Sequence, residues 1–241
     1  MPTEEVLILA MTRMRSGICT AGLTRQSDAT TGLRWVRPVK EHDTLILGDM
    51  TDQAGHVVQC SDVVALNLKA RRPDPPHTED WLTDFVYQRP HLLRRLEGER
   101  RARLFAGHLD RAPEDVLVHH RRSLCLIRPD EVRARFSMDA RSGKYEARMS
   151  FTLGDLQHDR ANSPRGIPVT DIKWRALGRA WFCGSVGELV LDGSELAVRL
   201  GATDIYLALG LSRGYRGQFW LMIVGVHVVP DYEIAVDYHN L

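Results

Sequence analysis

LRWVRPV, residues 33–39, is the part of the sequence that says most about the fold. Two short apolar runs, 6–11 and 18–23, precede it with a basic turn between them, which predicts three successive strands. Trp35 and Arg37 are two residues apart, so on a strand both side chains leave the same face. An aromatic ring beside a planar cation is typical of a surface that stacks on nucleobases. A core tryptophan with a solvated arginine at its rim fits the same pattern, and both interpretations stay open.

The composition is that of an ordinary globular protein, with arginine as the dominant cation. The chain has 241 residues, of which 44% are hydrophobic and 26% charged, enough for one large domain or two small ones. The formal net charge of +1 indicates no general affinity for nucleic acid, but it allows a local basic patch. Only four of the 32 cations are lysines, and arginine is suited to bidentate phosphate binding. A GC-rich genome produces the same excess of arginine.

The cysteines and the N-terminal segment argue against several classes of protein. The cysteines are far apart in sequence and form no CxxC pair, so no metal site and no cofactor is predicted. They are Cys19, Cys60, Cys125 and Cys183. The acidic N-terminus and the short apolar run after it do not resemble a signal peptide, and no run approaches the length of a membrane span. We therefore expect a cytoplasmic protein with free thiols and no membrane partner.

Strand patterns dominate both halves of the chain, with helical inserts between them. The spacing of apolar residues predicts a basic amphipathic helix over 90–106 and a short helix over 172–179. Alternating segments on either side of a polar loop predict a hairpin of 132–137 with 144–153. Two apolar runs on either side of a basic, glycine-bearing loop predict a second hairpin of 205–211 with 219–229. No βαβ repeat occurs, so the predicted fold is mainly β with helical inserts (α+β), organised as small barrels.

Several conventional catalytic motifs are absent: the sequence contains no P-loop, no GxGxxG and no HExxH. An enzyme would need a reactive group from elsewhere, and the candidates are Asp171, Cys19 and Cys183. Arg13 and Arg15 lie near Cys19 in sequence and would lower the pKa of its thiol. Asp171 is equally explained as the N-cap of the helix that follows it.

Several segments together resemble the dual OB-containing domain family of bacterial proteins. They are VLILAMTRMRSGICTAGL, GLRWVRPV, SLCLIRPDEVRARF, RMSFTLGD, IPVTDIKW and IYLALGLSRGYRGQFWLMIVGVH, which span Val6 to His227. The chain departs from the family at Thr12, where serine is usual, and in the long loop Asp155–Gly166. The resemblance implies two OB-like β-barrels packed together. The first would occupy 1–115 and end in the basic helical insert, and the second would occupy 116–241 and contain the short helix.

The resemblance also implies a function and a set of site residues. The expected function is binding of single-stranded or locally opened DNA or RNA. Such a protein would be an accessory component of a bacterial defence or DNA-modification system, working with other proteins of that system. The residues carried over from the family's motifs are Thr12, Arg13, Trp35, Arg37, Thr170, Asp171, Trp174, Ser212 and Arg213. We expect them to converge on one cleft between the barrels, with Arg37 rather than Trp35 facing it.

Two other functions remain open at this point. One is an enzyme that modifies a nucleobase in DNA, for example by hydrating the nitrile of a 7-deazaguanine, in a pocket between the barrels. That enzyme requires Asp171, Cys19 or Cys183 to line the pocket. The other is a scaffold subunit of a larger complex, which requires a large exposed apolar patch.

Overall fold

The computed structural model describes residues 3–14, 16–26, 34–182 and 186–238. Strands predominate, and the fold is mainly β with few helices, as predicted. The first half contains β1 Thr3–Met14, β2 Gly17–Thr24, β3 Trp35–Val39, β4 Asp62–Arg71, β5 Asp80–Thr83, β6 His91–Arg95, a 3-10 helix Leu47–Met50, and the helices α1 Gly98–Gly107 and α2 Glu114–Leu117. The second half contains β7 Leu124–Ile127, β8 Glu131–Met138, β9 Tyr145–Thr152, β10 Ile167–Pro168, α3 Ile172–Phe182, β11 Gly187–Asp192, α4 Gly193–Leu200, β12 Asp204–Leu211 and β13 Leu221–Val229.

The first five strands close into a barrel. Their order is β1-β2-β3-β5-β4, and β4 returns to pair with β1. The pairing of β3 with β5 is parallel and the other pairings are antiparallel. Side chains that alternate along the strands, such as Val6, Ile8 and Val36, fill the interior. Strand β6 pairs with the beginning of β4 outside this ring.

The second half repeats the same strand order. Sheet β10-β9-β8-β11 and sheet β13-β12-β7 meet where Val169, directly after β10, forms a parallel bridge with Ile223 of β13. Strands β7 and β8 follow each other across Pro129, so they act together as one bent first strand. Around the second barrel the strands follow one another in the order β7/β8, β9, β10, β13, β12, and β12 pairs again with β7. The parallel contact between the end of β10 and β13 corresponds to the parallel pairing of β3 with β5 in the first barrel. The chain therefore contains two OB-like barrels packed together.

One apolar core is shared by the two barrels. The outer side of β1, β2 and β3 packs against β7, β12 and β13 of the second barrel. The residues that meet there include Leu9, Leu23, Leu126, Tyr206 and Val224. A Cβ atom at Gly225 would lie 2.1 Å from the carbonyl oxygen of Leu9, so β13 approaches β1 backbone to backbone, which only glycine permits.

The predicted helix over 90–106 is wrong in its first part. Residues His91–Arg95 form β6, because they pair with β4, and the helix α1 begins only at Gly98. Gly98 has a φ of +52°, a conformation that separates the strand from the helix. The helix α3 and both predicted hairpins are confirmed. Among the described residues, no helix is long and apolar enough to cross a membrane.

Candidate nucleic-acid interface

Trp35 lies on the outer side of the first barrel, but that side is not free. Its side chain is 7% exposed and belongs to the shared core between the barrels. The outer face of β2 and β3 is therefore covered by the second barrel. Because its ring is packed against protein, Trp35 does not offer a stacking surface to a base in this structure.

Arg37 is also buried, and it joins the two barrels. Its Nε donates to Asp80 Oδ1 at 2.6 Å within the first barrel, and its Nη1 donates to Ser123 Oγ at 3.4 Å just before the second. Ser123 donates in turn to Glu79. Arg37 is 5% exposed, so it faces the interface between the barrels but not an open cleft.

Arg213 reaches the same carboxylate from the second barrel. Its Nη2 lies 2.6 Å from Asp80 Oδ2, and its Nη1 lies 3.6 Å from Asp74 Oδ2. Ser212 closes the loop that carries it, since Trp220 N donates to Ser212 Oγ at 3.0 Å. The structure thus brings Arg37 and Arg213 together, with the protein's own Asp80 between them.

Cys19 does not have the reactive environment that its sequence neighbours predict. Burial raises the pKa of its thiol, and the attraction of Arg37 and Arg213 is offset by Asp80. The side chain of Arg13, at the end of β1, is exposed. Cys183 lies outside the described residues. Among those that are described, no group of His, Cys, Asp and Glu side chains could hold a metal ion.

Asp171 caps α3 and ties three elements together. Its Oδ1 accepts from Trp174 N at 3.0 Å, and its Oδ2 accepts from Val226 N at 2.8 Å. Its backbone bridges to Thr12, and Arg13 N donates to Thr170 O at 3.4 Å. These predicted residues therefore do meet, but Asp171 is 1% exposed and the Trp174 side chain is fully buried. Burial raises the pKa of the Asp171 carboxyl to about 6.

The cavity beside Asp171 is small. It lies between the barrels, has a volume of about 20 Å³, and is also lined by Cys60, Lys173 and Tyr238. Such a space holds roughly one water molecule. A nucleobase does not fit into it, so this site gives no support to catalysis on a base held between the barrels.

The second barrel leaves its corresponding outer face open. Along β9 the side chains of Tyr145 and Ala147 point into the core, so Glu146 and Arg148 point outward. Arg148 donates from Nε to Arg165 O at 3.1 Å and from Nη2 to Gly166 O at 2.7 Å. These bonds fix the guanidinium group on the surface beside β10 and leave other N–H groups free to bind a ligand.

We call this surface the basic face, and it is defined by Arg148 and the four other cations that act electrostatically on it or on the neighbouring Glu146. They are Arg135, Lys144, Arg148, Arg160 and Arg165. Arg135 pairs with Glu188 at 3.0 Å and Lys144 with Glu146 at 2.7 Å. The other three form no ion pair within the described ranges. Burial lowers the pKa of Arg148, and the charge of Arg165 lowers it further, so positive charges are concentrated here.

An aromatic hairpin loop, residues 212–220, connects β12 to β13 and lies near the loop that leads to Arg160 and Arg165. Tyr215 is 59% exposed, its ring lies 6.2 Å from that of Trp220, and Arg216 stacks over it at 5.3 Å. Phe219 contacts His120, whose charge acts on His158 in the loop that leads to Arg160 and Arg165. OB folds bind oligonucleotides with the face of their second and third strands and with the loops after the first and fourth. In the second barrel these parts are β9, β10, the loop 139–144 and the hairpin loop.

Most residues of the basic face and the hairpin loop are not among the site residues predicted from the sequence. Only Ser212 and Arg213 of the hairpin loop were predicted site residues. Two patterns in the sequence do point to this surface. Glu146 and Arg148 alternate with apolar residues, as on a strand with one polar face, and Tyr215 and Trp220 flank a basic turn. The pattern alone does not show which of two similar barrel faces is open.

Comparison with known proteins identifies the family. The family model of the dual OB-containing domain matches residues 4–226, so the chain belongs to this family. No curated protein matches the chain, and no solved structure matches it.

Proposed function

We propose that this member of the dual OB-containing domain family binds single-stranded or locally opened nucleic acid on the basic face of its second barrel. One observation carries the proposal. The ligand-binding face of the first barrel is covered by the second, whereas the equivalent face of the second is open and rich in arginine. The proposal therefore assigns the two barrels different tasks, with the first supporting the second.

The chemistry of the face fits a phosphate backbone. Arg148, Arg160 and Arg165 lack ion-pair partners in the part of the chain that is described, so binding a phosphate does not require them to leave an existing carboxylate. Tyr215 and Trp220 supply rings on which bases stack, largely regardless of sequence. The neutral total charge of the chain is compatible with this, because the charges are concentrated on one face.

The test is the salt dependence of binding in the double variant Arg148→Gln/Arg165→Gln. Fluorescence anisotropy with labelled single-stranded DNA and RNA is measured at about 50 and 200 mM salt, a range over which phosphate contacts weaken strongly. Losing two phosphate contacts should reduce the slope of log K against log salt by about 1.4. Arg100→Gln, which removes an exposed arginine on α1, is the control and should keep the wild-type slope. An unchanged slope in the double variant would contradict the proposal.

The narrower role follows from the family resemblance. We propose that binding serves as an accessory function in a bacterial defence or DNA-modification system. Mass analysis of the recovered oligonucleotide separates this from catalysis, since an accessory binding protein leaves the mass unchanged. A changed mass would instead identify an enzyme and its reaction.

A further inference from the structure

A second basic feature lies where the two barrels meet. A cavity of about 300 Å³ opens between the end of β1, one side of α3 and the C-terminal segment. We call it the arginine pocket; its charged lining is Arg13, Arg175, Arg179 and Asp237, and its floor includes Ile172 and Val236. Because Arg13 belongs to the first barrel and α3 to the second, the pocket exists only when the barrels are packed together.

Two of the guanidinium groups in the arginine pocket, those of Arg175 and Arg179, are held in place before any ligand arrives. Arg175 and Arg179 are one helical turn apart, and each stacks on Tyr145 with its Cζ 5.0 Å from the ring centre. Burial lowers the pKa of Arg175, and the charges of Arg179 and Arg13 lower it further. Arg13, Arg175 and Arg179 outnumber Asp237, so the pocket keeps a net positive charge that favours an anion.

The shape of the arginine pocket selects the anion. Its volume is at the lower limit of small-ligand sites, roughly 300 Å³, and its floor is apolar. Such a site suits one phosphate together with part of a sugar or base. A terminal phosphate monoester carries about −1.5 to −2 charges, more than an internal diester, so a pocket with three arginines and one aspartate favours a strand end.

The pocket adjoins the basic face. Glu146 acts electrostatically on Arg175 in the pocket, and Arg148 and Arg165 of the basic face act on Glu146. We propose that the arginine pocket binds the terminal phosphate monoester of a strand that lies on the basic face. This inference rests on the proposed function and adds a requirement for a strand end.

The experiment compares four single-stranded oligonucleotides of one sequence: with a 5′-phosphate, with a 3′-phosphate, with hydroxyls at both ends, and circularised. One of the phosphorylated strands should bind about tenfold more tightly than the hydroxyl strand, as expected for a charge-assisted contact. Arg175→Gln should abolish that difference and leave binding of the hydroxyl strand unchanged. Arg199→Gln removes an exposed arginine stacked on Trp181 at 5.5 Å and should preserve the difference.

The outcomes separate the two proposals. Equal affinity for the phosphorylated, hydroxyl and circular strands would overturn the role of the pocket and leave the basic face standing. Failure of every strand to bind would contradict the proposed function. A parallel titration with deoxyadenosine monophosphate and with deoxyadenosine, followed by calorimetry, reports on the pocket directly. Binding of the nucleotide alone, lost in Arg175→Gln, supports the pocket, and binding of neither compound counts against it.

Discussion

Individual arginines have different roles here, and their partners decide which. Arg37 is buried against Asp80, and Arg101 is buried with its Nε on Ser61 Oγ at 2.9 Å and its guanidinium over Phe105 at 4.8 Å. In both cases the guanidinium group finds its partners within the protein, so these two arginines connect segments of the chain. Arg148 lies on the surface with carbonyl partners and no carboxylate, and it is available to a ligand.

The position of Trp35 predicts an effect on stability alone. Trp35→Ala should lower the free energy of unfolding by about 3–5 kcal/mol, because it opens a cavity in the shared core. Urea denaturation measures this, and anisotropy corrected for the folded fraction should show unchanged affinity for nucleic acid. Weakened binding at wild-type stability would mean that the ring contacts a base.

Asp171 predicts a pH dependence of stability. Its carboxyl pKa rises from 3.8 to about 6 on folding, so the folded state binds the extra proton in that window. The unfolding free energy contributed by this group is greatest below pH 3.8 and falls as the pH rises through 6, by up to about 3 kcal/mol. The stability advantage of the wild type over Asp171→Asn should therefore shrink between pH 4 and pH 7 in urea titrations. An advantage that grows with pH would refute this assignment.

At the scale of elements, the two barrels use the same strand order but leave different faces exposed. The outer side of β2 and β3 is apolar where it meets the second barrel, with Ala21, Leu23 and Trp35. The outer side of β9 presents Glu146, Arg148 and Ser150. A polar outward face cannot pack into an apolar core without a large desolvation cost, so these sequences decide which face remains open.

The hairpin loop gives a prediction of its own. Tyr215→Ala should weaken binding of single-stranded nucleic acid by about 1–3 kcal/mol if a base stacks on the ring. Tyr87→Ala removes a tyrosine that is 90% exposed in the first half, and it should have no effect. Fluorescence anisotropy at one salt concentration measures both affinities. Equal affinities of the two variants would show that the hairpin loop does not contact the nucleic acid.

Much of the element pattern could be predicted, and the assignment of faces could not. The alternation along β8 and β9, the apolar runs of β12 and β13 and the capping position of Asp171 are local, so the sequence predicts them. The covering of Trp35 depends on Leu124, Leu126, Tyr206 and Val224, which come from distant parts of the chain. Residues 91–95 form a strand for the same reason. Their pairing with β4, which is distant in sequence, outweighs the helical spacing of the leucines in this segment.

At the scale of the whole molecule, the barrels are interlocked. They share a core, an ion-pair network at Asp80, and a C-terminal segment in which Tyr232 packs on Trp174 while Val236 packs against the first barrel. The division at residues 115 and 116 remains a prediction about sequence, and the contacts favour one cooperative unit. Calorimetry of the full chain should give a single transition with equal calorimetric and van't Hoff enthalpies. Two resolved transitions would show independent barrels.

Photo-crosslinking can show directly where on the protein the nucleic acid is bound. Single-stranded DNA substituted with iodouracil is bound to the full-length protein and irradiated, and the crosslinked peptides are identified by mass spectrometry. We expect crosslinks within 135–165 and 212–220, where the basic face and the hairpin loop lie. Crosslinks confined to the first barrel or to α1 would contradict this expectation.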